Sequence, residues 1–185
     1  MNGKYEIIGF IDDMAPDIPT IVGFPVLGRM AELECHISSA DCAVVALGNN
    51  ELRRVLSQRV TNAGVPLVSI IHPKAVVSPT ARLSPGCAVM AGAIVGAQAQ
   101  IGIAAILNCG SVVDHDAMVG DYGHLGVNSC IAGGSSIGDS AWVQAGAAVG
   151  YGIHIGDGEV VSAAPLQIRK ARKPDRSDVN QESKE

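Results

Sequence analysis

Aromatic side chains are almost missing from this chain. Its 185 residues include one Trp, three Tyr and two Phe, 3% in all. A core without rings has to be filled by small and branched aliphatic groups, and the chain is 48% hydrophobic with 22 Gly. Charge is sparse too, at 17%, with a net value of −5. That balance offers no basic surface for a polyanion and argues against nucleic acid as a partner. No apolar run approaches the roughly 18 residues needed to cross a bilayer. The opening MNGKYEIIGF has neither the apolar stretch nor the cleavage site of a signal peptide. The five cysteines (Cys35, Cys42, Cys87, Cys109 and Cys130) form no CxxC pair. Their odd number and scatter fit free thiols in a reducing cytoplasm, so a cytoplasmic protein without membrane insertion is expected.

What is present is a beat. Stepping by six from Ile71 reaches Val77, Leu83, Val89, Val95, Ile101, Leu107, Val113, Val119, Leu125, Ile131, Ile137, Val143, Val149, Ile155 and Val161, all aliphatic. The following residue is usually small or polar, as at Gly96, Gly120 and Gly138, and the fourth after each beat is mostly Ala or Ser. A period of six matches neither a helix nor plain strand alternation. It matches a triangular parallel β-solenoid, with three hexads per 18-residue coil and about five coils over residues 71–168.

Residues 1–70 follow another grammar. Tyr5–Ile11 reads as a buried strand ending at Asp12 and Asp13, and Pro16, Pro19 and Pro25 mark loops. Cys42–Leu47 reads as a second strand, followed by Gly48 and Asn49. Asn50 is placed to cap a helix from Glu51 to about Ala63, closed by Gly64, with a third strand over Val65–Ile70. Strand, loop, strand, helix, strand predicts a small α/β unit with a parallel sheet. Residues 169–185 are polar and predict a disordered tail after a basic start.

The stretch VDHDAMVGDYGH, residues 113–124, concentrates titratable groups within this apolar rhythm. The 18-residue register stacks His115 between Ala97 and Gly133, Asp116 on Gly134, and His124 on Trp142. His115 falls at an outward corner between Asp114 and Asp116. A carboxylate beside an imidazole sets its tautomer and raises its basicity, as a general base requires. The neighbouring Ala132-Gly133-Gly134 offers backbone N–H groups free of bulky side chains. The plainer alternative is a surface histidine on a polar corner. His124 has three readings: it orients His115, it meets a substrate carbonyl, or it fills a subunit interface. Asn108 is a candidate polar contact across a groove. His36, His72 and His154 are read as structural or exposed.

The segment NCGSVVDHDAMVGDYGHLGVNSCIAGGSSIGD resembles the catalytic region of the sialic-acid O-acetyltransferase and bacillosamine-type nucleotide-sugar N-acetyltransferase family of hexapeptide-repeat acyltransferases. GNNELRRVLSQRVTNAG and IIHPKAVVSPTA resemble its linker between domains, so the likeness spans roughly residues 5–165. The resemblance implies a left-handed parallel β-helix (a hexapeptide-repeat solenoid) over 71–168, preceded by a small, truncated α/β Rossmann-like domain over 1–70. It implies acetyl transfer from acetyl-CoA, with His115 as base, Asp116 orienting it, Gly133 N–H holding the thioester oxygen and His124 assisting. It further implies homotrimers with acetyl-CoA in the groove between prisms, lined by Asn108, His124, Ala132, Gly133, Ala145, Ala163 and Ala164. The α/β unit would hold a UDP- or dTDP-linked amino sugar through Asp12, Asp13, Gly48 and Asn49. No metal is implied.

Two departures qualify the likeness. The family's opening strand and G-x-G-G-H loop are missing, so the chain begins at the second strand: a truncated start, an incomplete nucleotide site, or a site completed by another chain. The family's usual Gly-x-Pro-Ala ending is replaced by SAAPLQIRKARKPD, in which Arg169, Lys170, Arg172 and Lys173 either meet CoA phosphates or are solvated. O-acetylation of a sialic-acid-type sugar and a non-catalytic trimeric solenoid remain alternatives. A γ-type carbonic anhydrase is disfavoured, because it needs three zinc histidines and His115 and His124 have no third partner.

Overall fold

A computed structural model of the chain describes residues 5–37 and 39–163. Ala164, the basic residues Arg169, Lys170, Arg172 and Lys173, and the expected tail lie outside the described residues. Among the described residues the solenoid comprises sixteen two-residue strands at six-residue intervals, β4 (Ile70–Ile71) to β19 (Val160–Val161). Every pairing is parallel and joins residues 18 apart, as in Val112↔Cys130 and His124↔Trp142. The strands form three sheets, the faces of a prism. The first face contains β10 (Ile106–Leu107), β13 (His124–Leu125) and β16 (Trp142–Val143). The second contains β11 (Val112–Val113) and β14 (Cys130–Ile131), and the third contains β12 (Met118–Val119) and β15 (Ser136–Ile137).

The beat residues point inward. Leu107, Val113, Leu125, Ile131 and Val143 are all 0% exposed, and Ala93, Ala99, Ala105, Ala117 and Ala141 pack among them from the corners. From Gly86 to Gly158 the chain turns by a left-handed residue once per hexad. This is Gly110, Gly134 and Gly146 at some corners, but Gln98, Asp116, Tyr122, Asn128 and Ser140 at others. A Cβ in that region is unfavourable, and Asn and Asp tolerate it better than most residues.

The α/β unit differs from its expected form. The strand expected over Tyr5–Ile11 shrinks to β1 (Phe10–Ile11), and Tyr5 and Ile8 are exposed. β1 pairs in parallel with β3 (Phe24–Gly28), starting at Phe10↔Val26. The preceding Pro25 has no N–H to extend the ladder toward residue 5. β2 (Thr20–Ile21) returns antiparallel to β3 across a two-residue turn, Val22 and Gly23, both with positive φ. The sheet is therefore mixed, in the order β1-β3-β2, rather than parallel. Cys42–Leu47 contributes a single bridge, Ala43↔Leu67, where Pro66 interrupts the partner's donors.

A short helix, α1 (Leu33–Ile37), precedes the longer α2 (Asn50–Asn62). The cap of α2 is Asn49, one residue earlier than expected, its side chain accepting from Leu52 N–H at 2.9 Å. Asn50 turns instead to the prism, where its amide donates to the Ser140 carbonyl at 2.8 Å. Leu33, Ile37, Val60, Val65 and Leu67 form a second small core, closed by Ile103 of the solenoid. The unit thus rests on the corner between the third and first faces. Among the described residues no helix is long and apolar enough to cross a membrane.

Candidate active site

Between β11 and β12 the chain turns the corner shared by the second and third faces, and His115 and Asp116 are its tip. Val113 and Ala117, both 0% exposed, anchor the turn from within. Asp114 Oδ1 accepts the His115 backbone N–H at 2.7 Å. Asp116, at φ 57°, curls its carboxylate back so that Oδ2 lies 2.8 Å from His115 Nδ1. The side chains of His115 and Asp116 are 59% and 61% exposed. The hydrogen bond to Asp116, and then the charge of Asp114, hold the imidazole above the ordinary histidine range against an opposing effect of burial.

Gly133 lies on the next coil. A Cβ built there would sit 2.8 Å from both Cε1 and Nε2 of His115. The ring therefore occupies the space that any other residue would fill. Gly133 is buried, and its N–H has no acceptor among the described residues, whereas Gly134 N–H donates to the His115 carbonyl at 3.1 Å. A donor there works outside bulk water, where hydrogen bonds to a developing charge are strongest.

His124 is not brought to this corner. Nine residues are half of an 18-residue coil, so His124 lies in β13 on the first face, across the prism from His115. Its ring stacks on Trp142, with centroids 5.7 Å apart and planes at 23°. Burial beneath the α/β unit and then the charge of Arg53 push its pKa down, while a hydrogen bond with the Gly48 backbone works the other way. The neutral imidazole is thus favoured at His124, whereas His115 is made more basic.

The remaining candidates divide among separate edges. Ala132 flanks Gly133 on the His115 corner. Asn108, Ala145 and Ala163 lie along the corner between the first and second faces, where Ala145 and Ala163 are exposed and Asn108 Oδ1 accepts from Cys109 N–H at 2.9 Å. In the α/β unit Asp12 Oδ1 accepts from Met14 N–H at 2.8 Å and Asp13 Oδ1 from Met30 N–H at 2.9 Å, so both acids also shape turns. Gly48 and Asn49 lead into α2 beside His124. His72 and His154 are engaged locally, with Lys74 N–H and the Ser136 hydroxyl. No group of three His, Cys, Asp or Glu among the described residues is arranged to hold a metal ion.

One contributor escaped the sequence reading. Arg53 is 1% exposed and bonds to both the Gly48 loop and the solenoid. Its signal was the spacing Arg53, Ser57 and Val60, one helical face.

Comparison with known proteins identifies the group. The PglD N-terminal domain family matches residues 1–60. PerB from Caulobacter crescentus, solved in complex with CoA and GDP-perosamine, is 40% identical, with 83% of this chain and 76% of that chain covered and a TM-score of 0.68. The acetyltransferase domain of PglB from Neisseria gonorrhoeae FA1090 is 29% identical, with 89% and 88% covered and a TM-score of 0.67. That domain has also been solved in complex with acetyl coenzyme A. The fold and these likenesses define a left-handed β-helix acyltransferase of the hexapeptide-repeat class. Within that class, the chain belongs to the nucleotide-sugar N-acetyltransferase family.

Proposed function

We propose that this chain transfers an acetyl group from acetyl-CoA to the amine of a nucleotide-linked amino sugar, with His115 as general base. The observation that carries the reading is the corner itself: an exposed imidazole held 2.8 Å from the Asp116 carboxylate and seated against Gly133. With Nδ1–H donating to Asp116, Nε2 keeps its lone pair for the acceptor's proton. Acetyl-CoA supplies the acetyl group as an activated thioester. His115 takes the proton from the acceptor nitrogen as the C–N bond forms and the C–S bond breaks, and the imidazolium then gives that proton to the departing thiolate, which leaves as CoA and restores the neutral ring. Asp116 and Asp114 stabilise the imidazolium that results. The Gly133 N–H, lacking an internal acceptor, is the donor for the thioester oxygen.

A trimer completes the site in this reading. The outward column of the second face, Val76, Ile94, Val112, Cys130 and Ala148, carries no charge, and Val76 and Ile94 are 62% and 44% exposed. It is bordered by both candidate corners, which suits packing against further copies. One copy's His115, Ala132 and Gly133 would then face another's Asn108, Ala145 and Ala163, whose small side chains leave the backbone open to a pantetheine arm, and another's His124. Asp12 and Asp13, each with an oxygen beyond its turn contact, join Gly48 and Asn49 in holding the nucleotide sugar. UDP and dTDP are candidate nucleotides, and the GDP-perosamine bound by PerB adds GDP.

The test is thiol release from acetyl-CoA with UDP-, dTDP- and GDP-linked amino sugars beside their hydroxyl counterparts. Turnover is expected with an amine, and His115→Ala should lower it by roughly 10²–10⁴-fold with unchanged melting. Turnover retained in His115→Ala overturns the base assignment, and a preference for hydroxyl acceptors overturns N-acetylation.

A further inference from the structure

Helix α2 turns Arg53 and Ser57 inward beside Val60 and leaves Leu52 and Val55 outward. Leu52 and Val55 are 55% and 39% exposed, while Arg53 and Ser57 are each 1% exposed. A buried guanidinium is costly unless every donor is used, and a hydrophobic residue of similar volume often serves packing as well. Among the described residues Arg53 uses its donors without a carboxylate partner. Nε donates to the Ala104 carbonyl at 2.8 Å, and Nη1 to those of Leu47 at 2.8 Å and Gly48 at 3.3 Å. Nη2 donates to Asn50 Oδ1 at 2.8 Å and to the Tyr122 carbonyl at 2.6 Å. Burial lowers its pKa to about 10, so it remains a cation at neutral pH.

Those acceptors fall into two groups. Leu47 and Gly48 form the loop that enters α2, whereas Ala104 and Tyr122 lie on successive coils at the corner between the third and first faces. His124 stands beside the junction, bonded to the Gly48 backbone and stacked on Trp142. Arg53 is the charged group whose field reaches it. A planar fork can hold two sets of carbonyls in fixed relation, which an ammonium on a flexible stem cannot.

We propose that Arg53 is a positioning residue for acetyl transfer, clasping the Gly48–Asn49 loop to the solenoid and thereby setting the acceptor-binding edge in register with the His124 ring. This rests on the reading that Gly48 and Asn49 border the acceptor site. The Arg53 charge adds a second effect, since a cation beside His124 favours the neutral imidazole.

Arg53→Lys and Arg53→Met separate the two effects. Both should lower kcat/KM for the amino sugar by about tenfold or more, leaving KM for acetyl-CoA within about twofold, because only the acceptor edge shifts. The His124 titration, followed by NMR, should move to higher pH in Arg53→Met and stay near wild type in Arg53→Lys. Amide exchange at Gly48–Asn50 should quicken in both. Wild-type acceptor kinetics in Arg53→Lys, or in a folded Arg53→Met with an unmoved His124 titration, would overturn the proposal. A wild-type chain that acetylates no amino sugar overturns the function above instead. The His124 titration in Arg53→Met and the amide exchange in both variants then decide the Arg53 clasp by themselves, and an unmoved titration in folded Arg53→Met together with unchanged exchange in both sinks it.

Discussion

Between Val89 and Val149 every sixth side chain is aliphatic and no more than 4% exposed, whereas the α/β unit buries five aliphatic side chains at 3–8% together with Arg53 and Ser57 at 1% each. The solenoid repeats one local solution, each hexad packing on identical neighbours. The α/β unit has no such periodicity. Its mixed sheet is held by short strands, its main helix presents polar groups inward, and part of its core is Ile103, borrowed from the prism. Shape is carried by redundancy in one region and by a few specific polar contacts in the other. The chemistry proposed for His115 sits on the redundant part.

The largest expected effect tests that redundancy. Leu125→Ala, at 0% exposure inside the prism, should cost about 2–5 kcal/mol in urea unfolding, since rigid coils cannot collapse into the cavity. Val60→Ala in the small core should cost roughly half as much or less, with fewer methyls lost and a more adaptable surround. Equal costs would erase the contrast between the regions. Next is Gly133→Ala, which forces the His115 ring from its seat. It should lower turnover by roughly 10²-fold through displacement of the base, with little change in melting, because Gly133 lies outside the left-handed region.

Asp116→Asn is subtler and keeps a residue type that tolerates φ 57°. In the proposed mechanism the working form of His115 is neutral, so activity should fall as pH drops through its raised pKa. Without the Asp116 carboxylate that pKa falls, and the acidic limb of the rate profile should shift to lower pH, with a lower plateau. An unmoved limb would mean Asp116 does not act on the base. The smallest effect is Ser57→Ala. The Ser57 hydroxyl is buried without a hydrogen-bond partner among the described residues, so its removal should be neutral or stabilise by about 1 kcal/mol at most.

The solenoid was legible because the beat is also the structural repeat. Once Val113 and Ile131 are set 18 residues apart in neighbouring strands, the stacking of Gly133 on His115 follows from counting. The same counting separates His115 from His124 by half a coil, an inference available from sequence that their closeness in the chain obscured. The α/β unit was less legible because its determinants are non-local or unusual. Pro25 and Pro66 cut two expected strands short, and Val22 in a positive-φ turn gives no ordinary hairpin signal. Arg53 was hidden because an amphipathic helix is normally read for apolar residues on its inner face.

The clasp of α2 also bears on how the protein comes apart. A coil in a solenoid ordinarily answers only to the coils on either side, so opening starts at an end and travels inward. Arg53 reaches Ala104 and Tyr122, and Asn50 reaches Ser140 and Ala141, so one helix holds three successive coils. These coils share a fastening beyond their ladder bonds and should open as one cooperative block, independently of fraying at the ends. Ala117, Leu125 and Ile131, the interior around the His115 corner, lie along the stretch that this block and its next coil span, so the proposed base should stand where the prism is slowest to loosen.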